Sequence, residues 1–381
     1  MRRLLVVTLA LALVAPHAVA QPARGNPDTQ FEGESVDAMI ASFMKEHEVP
    51  GMSLAIVQAP YITRAAGYGV SDRERRTLAA ANTLFDVAQM RDAFTAVAIM
   101  QLVEVKKLAL DEVRDAIRDA SRYADLERAI ESASGKSYEQ FVRTGQFDRL
   151  GLRHTFFGSE LSGVERESHG AGERHRRFLQ QPALIDPIEP ASGYREASRV
   201  KPRDRAIYSS AYDVSVWDIG LAGEILVKDA SLRKLLYSPV LADGTRLARI
   251  GAWSFPGHQG LMIATGTGDG FSSLLSRFTH PDELVCVTLL ANKEGLDLTQ
   301  LARKIAGAHN ARIGPPARAA SMRVQQSPWP LETTRDRVIQ RGASDRVQVW
   351  EAEGEVWVGA KDPGEGAARN AIDRLLLDIA M

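Results

Sequence analysis

Cysteine is the scarcest residue type in this chain of 381 residues, with Cys286 the only example. No intrachain disulfide can form, and a cysteine-based zinc site is excluded. Cys286 sits in the apolar, strand-like run 284–290 and reads as a small buried hydrophobe. The eight histidines are scattered without ligand spacing, so neither a metal nor another cofactor is expected. Net charge is also nearly absent, at −1. That balance gives no electrostatic basis for binding nucleic acid. Internal repeats and low-complexity tracts are missing as well.

What is present is ordinary globular composition, 45% hydrophobic and 25% charged, with ample length for a large core. The first twenty residues stand apart. Arg2 and Arg3 precede an apolar run from Leu4 to Ala15, and Ala18-Val19-Ala20 forms a small-x-small site before Gln21. This is the pattern of a secretory leader, too short for a typical membrane span. Its removal takes two arginines and moves the formal charge from −1 to −3. The mature chain is expected to be periplasmic or secreted, without an integral membrane span.

Residues 21–33, rich in Pro, Gly, Asn and Asp, read as a flexible lead-in. Apolar residues at helical spacing predict a helix over about 35–46. Paired strands are expected at 52–57 and 62–68. A helix after Asp92, with Phe94, Val97, Ala98, Met100 and Leu102, should be buried on most sides. Residues 113–157 read as helical. The stretch 158–205 is loop-rich, and its basic cluster Arg174–Arg177 is expected to be a solvated rim. Further strands are expected at 248–254, 260–265, 270–277 and 284–290, and a closing helix near 298–309. Gly314-Pro315-Pro316 opens a linker assigned to 312–345. Residues 346–381 suggest a small appendage, a hairpin around Glu353-Gly354 followed by a helix from Ala367 to Ile379.

Several short motifs have recognisable order. Val49-Pro50-Gly51-Met52-Ser53 comes first, then Gly67-Tyr68-Gly69-Val70, Asn82-Thr83-Leu84-Phe85 and Phe94-Thr95-Ala96-Val97. Later come Ser134-Gly135-Lys136-Ser137-Tyr138, Tyr208-Ser209-Ser210-Ala211-Tyr212-Asp213 and Gly270-Phe271-Ser272-Ser273. Over about 34–311 this frame resembles the serine β-lactamase and penicillin-binding-protein superfamily, in its class C, esterase-like branch. The resemblance implies an α/β (α+β) β-lactamase/transpeptidase-like fold, an antiparallel sheet flanked by helices plus an all-α subdomain. The segment from Leu110 to Ser134 is short for the family, so that subdomain should be reduced.

The same resemblance locates the catalytic positions. The family carries Ser-x-x-Lys at the start of the helix after Leu-Phe. Residues three apart share a helix face, so the Lys can assist deprotonation of the Ser hydroxyl. Here the nucleophile position is Gln89 and the lysine position is Asp92. Neither can do that work, although an acid suits a helix N-terminus. Counting back from Ser134-Gly135 puts the family's Tyr-x-Asn at Arg118 and Ala120, with Tyr123 matching a later structural tyrosine. Counting back from Gly270-Phe271 puts its Lys/His-Thr/Ser-Gly at Ala264-Thr265-Gly266. His258 lies outside that register. Groups that act as a unit lose their value together. No catalytic residue is therefore expected to be intact, and Gln89, Asp92, Ala264, Thr265 and Gly266 are the candidate pocket lining.

Three functions follow from this reading. The first is an exported relative without acyl-enzyme chemistry, binding or regulating through an unidentified small molecule, a cell-wall fragment or a protein. The second is an active serine hydrolase with a relocated nucleophile, for which Ser272 and Ser273 are the available hydroxyls. The third is an interaction scaffold working through the C-terminal tail.

Overall fold

The computed structural model describes residues 23–73, 77–161, 202–237, 249–250, 252–255, 261–278, 284–311, 313–314, 322–344, 346–352, 354–361 and 367–380. Its centre is an antiparallel sheet. Its strands include β1 (Gly51–Gln58), β2 (Tyr61–Asp72), the two-residue β3 (Trp253–Ser254), β4 (Leu261–Gly268), β5 (Phe271–Phe278) and β6 (Val285–Ala291). Their spatial order is β2-β1-β6-β5-β4-β3, with Arg24–Gly25 added outside β2 and Arg249–Ile250 outside β3. The hairpins β1–β2 and β4–β5 form locally, and β6 joins them through Leu289↔Leu54 and Leu274↔Leu289.

Both faces of the sheet are covered, which explains why β1 and β6 read as nearly continuous apolar runs. Helices α1 (Val36–Glu46) and α6 (Thr299–His309) pack on one face, with Ile40, Met44, Leu301 and Ile305 in their shared core. Helices α2 (Arg91–Glu104) and α5 (Ala211–Ala222) pack on the other, where Phe94 meets Trp217 at 4.5 Å between ring centroids. Every residue of α2 from Ala93 to Leu102 is buried. Helices α3 (Leu110–Arg118) and α4 (Tyr123–Ser134) form the short helical subdomain beside α2. Buried Asn292 ties the sheet: its Oδ1 accepts the Gly51 N–H at 2.7 Å and its Nδ2 donates to the Val70 carbonyl at 2.8 Å.

Two expectations need correction. The supposed flexible lead-in holds structure from Arg24 onward. Arg24–Gly25 pairs with β2, and Gln30–Phe31 forms a hairpin with Glu34–Ser35. The turn residues Glu32 and Gly33 have φ of 52° and 84°, the left-handed pair that a two-residue hairpin requires. Phe31 is then buried against the α6 core, which repays ordering a polar segment.

The supposed linker is also structured. It contains β7 (Met322–Ser327) and α7 (Leu331–Gln340). These join β8 (Val347–Ala352), β9 (Glu355–Lys361) and α8 (Ala367–Ala380) in a C-terminal module of its own, with sheet order β7-β9-β8. Its core includes Val338, Val347, Val358, Ala360, Leu376 and Ile379. The appendage alone could not cover its hairpin, and β7 and α7 complete it. Among the described residues no helix is long and apolar enough to cross a membrane. The leader, the cluster Arg174–Arg177 and His258 lie outside the described residues.

Candidate functional site

The site forms where the start of α2 meets the end of β4. The chain enters through Ala88, whose φ of 47° is left-handed. A non-glycine residue holds that conformation at a cost of about 1–2 kcal/mol. Local bonds enforce it. The Ala88 N–H donates to Asp86 Oδ1 at 2.8 Å, and the Met90 N–H donates to the Val87 carbonyl at 3.1 Å. Asp86 is fully buried and pairs with Arg203 at 2.8 Å, which reaches Asp269 at 3.0 Å. One guanidinium thus clips this turn to the β4–β5 turn.

Gly266 lets the two segments touch. A Cβ there would lie 2.3 Å from the Val87 carbonyl oxygen and 2.7 Å from the Gln89 nitrogen. Among the described residues, strand β3 pairs with β4 at Ser254↔Ile263 and Trp253↔Ala264. Among the described residues, β4 from Thr265 onward pairs with β5 alone. The Thr267 N–H there donates to Gln89 Oε1 at 2.8 Å. The Thr267 hydroxyl turns elsewhere, accepting the Gly295 N–H at 2.6 Å and approaching Ser272 Oγ at 3.3 Å. A backbone donor beside the head of a helix is the arrangement that polarises an acyl carbonyl in acyl transfer. Here the amide oxygen of Gln89 occupies it.

A cavity of about 430 Å³ opens at this point. Gln89, Thr265, Gly266 and Thr267 line it, together with Arg249, Ser254, Asp297 and Thr299. Of the expected lining, Ala264 and Asp92 are not on its wall. Ala264 is fully buried between Trp253 and Leu275 and belongs to the core. Asp92 lies in the first turn of α2, with its side chain 15% exposed and Arg91 Nε no closer than 3.9 Å.

Burial pushes the Asp92 carboxyl from an ordinary value of 3.8 up to about 6, against the pull of Arg91 and Arg249. Asp92 stands in the first turn of α2, where an acid suits the helix N-terminus, and there the desolvation of its carboxyl outweighs the pull of the nearby guanidinium groups. Tyr123 packs nearby. Its hydroxyl donates to the Ile117 carbonyl at 3.1 Å, and burial, followed by the charge of Asp92, raises its pKa. Arg118 closes α3 and is half-buried. Among the described residues no hydrogen bond or ion pair joins it to Gln89, Asp92 or Ala264. The structure thus brings Gln89, Thr265 and Gly266 together on one cavity wall and places Asp92 in the first turn of α2.

Sequence reasoning overlooked two residues. Glu127 on α4 is almost fully buried and accepts Arg91 at 2.7 Å and Arg205 at 2.9 Å, anchoring the first turn of α2. Its signal, an acid on the inner face of an amphipathic helix, was visible but unpartnered in sequence. Arg249 had no signal, because only the strand pairing carries it to the site. Ser272 and Ser273 are buried. The Ser273 hydroxyl donates to the Val87 carbonyl at 2.7 Å, and Ser272 Oγ accepts the Leu296 N–H at 3.2 Å.

Such a sheet, with a helix head set against one of its strands, defines the serine β-lactamase and penicillin-binding-protein fold. The beta-lactamase family model matches residues 36–115 and 119–310, and the chain belongs to that family. A beta-lactamase of Lysobacter lactamgenus is 34% identical over 97 residues, covering 25% of this chain and 24% of that enzyme. The chain therefore matches about a quarter of the length of that curated relative. The octameric penicillin-binding protein homologue from Pyrococcus abyssi superposes with a TM-score of 0.52 at 15% identity, covering 85% of this chain and 87% of that one. The D-alanine carboxypeptidase AmpC from Burkholderia cenocepacia gives 0.51 at 14% identity, covering 72% and 97%. These structural likenesses describe the fold.

Proposed function

We propose that this chain is an exported, non-hydrolytic member of the beta-lactamase family that binds or regulates where its relatives cleave. The observation that carries the reading is the Gln89 Oε1 to Thr267 N–H bond at 2.8 Å. At the nucleophile position stands an amide, and its own oxygen takes the donor that a substrate carbonyl would need. No alkoxide can form on Gln89, and Asp92 cannot supply a cation to help one form. The hydroxyls of Ser272 and Ser273 are engaged in holding β4, β5 and the Val87 turn together, which weighs against a relocated nucleophile. The ligand class favoured is a cell-wall peptide fragment, consistent with a structural neighbour described as a D-alanine carboxypeptidase. Export rests on the charged start, apolar run and Ala18-Val19-Ala20 site.

The test is intact-mass measurement after long incubation with benzylpenicillin and with a fluorophosphonate. No covalent adduct is expected. A stoichiometric mass increase mapped to any serine would return the chain to the hydrolases. N-terminal sequencing of protein from its native compartment should begin at Gln21, and an intact Met1 on the soluble protein would remove the export reading.

A further inference from the structure

Hydrogen-bond direction fixes how Gln89 presents its amide. A backbone N–H can only donate, so the atom that meets the Thr267 N–H at 2.8 Å must be the amide oxygen, Oε1. The Nε2 group then keeps both of its hydrogens. Gln89 is exposed on the cavity wall, and among the described residues it makes no second hydrogen bond. Arg249, on the same wall, adds a guanidinium that donates and never accepts. The wall also holds one acid. Asp297 Oδ1 accepts the Thr299 N–H at 2.9 Å, which leaves Oδ2 as an acceptor beside the cavity.

We infer, on the non-hydrolytic reading of this site, that its cavity binds the carboxyl end of a peptide, with the carboxylate on Gln89 Nε2 and Arg249 and the adjoining peptide N–H on Asp297. A carboxylate has accepting oxygens only. Here they meet an N–H pair and a guanidinium, the charge-assisted form of hydrogen bonding. Asp297 decides among anions. It repels phosphate or acetate and gives them nothing in return, whereas a peptide end carries an N–H donor one Cα away from its carboxylate. The cavity volume of about 430 Å³ suits a short chain end rather than a folded partner. The Thr267 N–H, already taken by Gln89, is not available to polarise a ligand carbonyl, so the geometry holds a chain end without activating it. Hydrolysis of a peptide bond creates such an end. Peptide hydrolysis by another enzyme is therefore the class of reaction that supplies this ligand.

The experiment uses the full mature chain and N-acetyl-alanyl-alanine, with its last residue in either configuration, followed by titration calorimetry. Saturable binding of the free acid is expected, with the matching carboxamide weaker by at least about tenfold. Gln89→Glu keeps an oxygen for the Thr267 N–H and replaces the Nε2 donor by an acceptor. It should weaken binding of the free acid by at least about tenfold at an unchanged melting temperature, and Arg249→Gln should do the same. Gln89→Met serves if the glutamate variant does not fold, with the same loss expected. Absence of free-acid binding by the wild-type chain would overturn the inference. So would equal binding of acid and carboxamide, undiminished binding by the variants, or acetate bound as tightly as the peptide. Intact-mass and product analysis of the same samples separates the two failures. An acyl adduct or a cleaved peptide removes the non-hydrolytic reading, whereas silent calorimetry on unmodified protein and peptide removes the inference alone.

Discussion

Gln89 and Thr267, 178 residues apart in sequence, are joined by a side-chain carbonyl accepting a backbone N–H at 2.8 Å. The contact ties the start of α2 to the end of β4 from within the chain. Any acyl group entering the site must first displace it.

Restoring the first motif alone should therefore not restore chemistry. The double variant Gln89→Ser, Asp92→Lys is expected to fold and show no useful turnover of a chromogenic cephalosporin or a short-chain nitrophenyl ester. Ala264 is packed in the core, and Arg118 is not joined to the other three positions, so two further parts of the unit stay missing. Turnover near that of working relatives would show the register of those two elements to be wrong.

Asp92 makes stability depend on pH. Its carboxyl titrates near 6 in the folded chain and at an ordinary 3.8 when unfolded. Well below 3.8 both states are protonated and there is no penalty. As pH rises toward 6 the unfolded chain releases the proton first, so stability falls, by up to about 3 kcal/mol, and is level above that. Asp92→Asn should be more stable than wild type at pH 7.5 by about 1–3 kcal/mol, a gain that shrinks as pH falls and vanishes below about pH 3. Urea unfolding across that range measures the difference. A gain that does not vary with pH would contradict the assignment.

Glu127 is the counter-case, a buried acid with two close guanidinium partners. Glu127→Gln removes the charge that Arg91 and Arg205 both use, and about 2–4 kcal/mol of stability should go with it. Chemical denaturation gives the figure. A loss under 1 kcal/mol would mean that water replaces the carboxylate and that the first turn of α2 is held by packing alone.

Gly266 should tolerate no side chain. Gly266→Ala drives a methyl group into backbone on two sides, at 2.3 and 2.7 Å, and neither side can rotate away. A loss of at least about 2 kcal/mol is expected, together with faster hydrogen exchange at the Thr267 amide. Unchanged exchange at that amide would show that β4 and the Ala88 turn are less tightly coupled than their spacing indicates.

Much of this was legible in the chain itself. The apolar runs gave β1, β4, β5 and β6 to within a few residues, because both sheet faces are covered and the strands needed no polar alternation. Helix α2 announced itself by apolar residues on every side. Gln89, Thr265 and Gly266 could be placed by counting from Phe85 and Gly270, since short turns fix those distances. Asp92 could be located in the same way, but its desolvation could not be seen, since burial depends on α4 and Arg249 arriving from elsewhere. The hairpin around Glu32-Gly33 was hidden by its polar composition, its single apolar anchor being Phe31. Strand β7 and helix α7 were hidden because each has only part of an apolar face until β9 and α8 pack on it.

The sheet order has a kinetic meaning. Strand β1 is made early, yet its inner neighbour is β6, and Asn292, which ties the two, lies 241 residues after Gly51. The hairpin β1–β2 must wait at the centre of an unfinished sheet while the helical subdomain is synthesised. Closing that gap spends chain entropy before any long-range pairing rewards it. Folding of this domain should accordingly be slow and limited by the arrival of β6. Helix α2 is synthesised well before the strand that receives Gln89, so the bond to Thr267 can be made only once β4 has emerged.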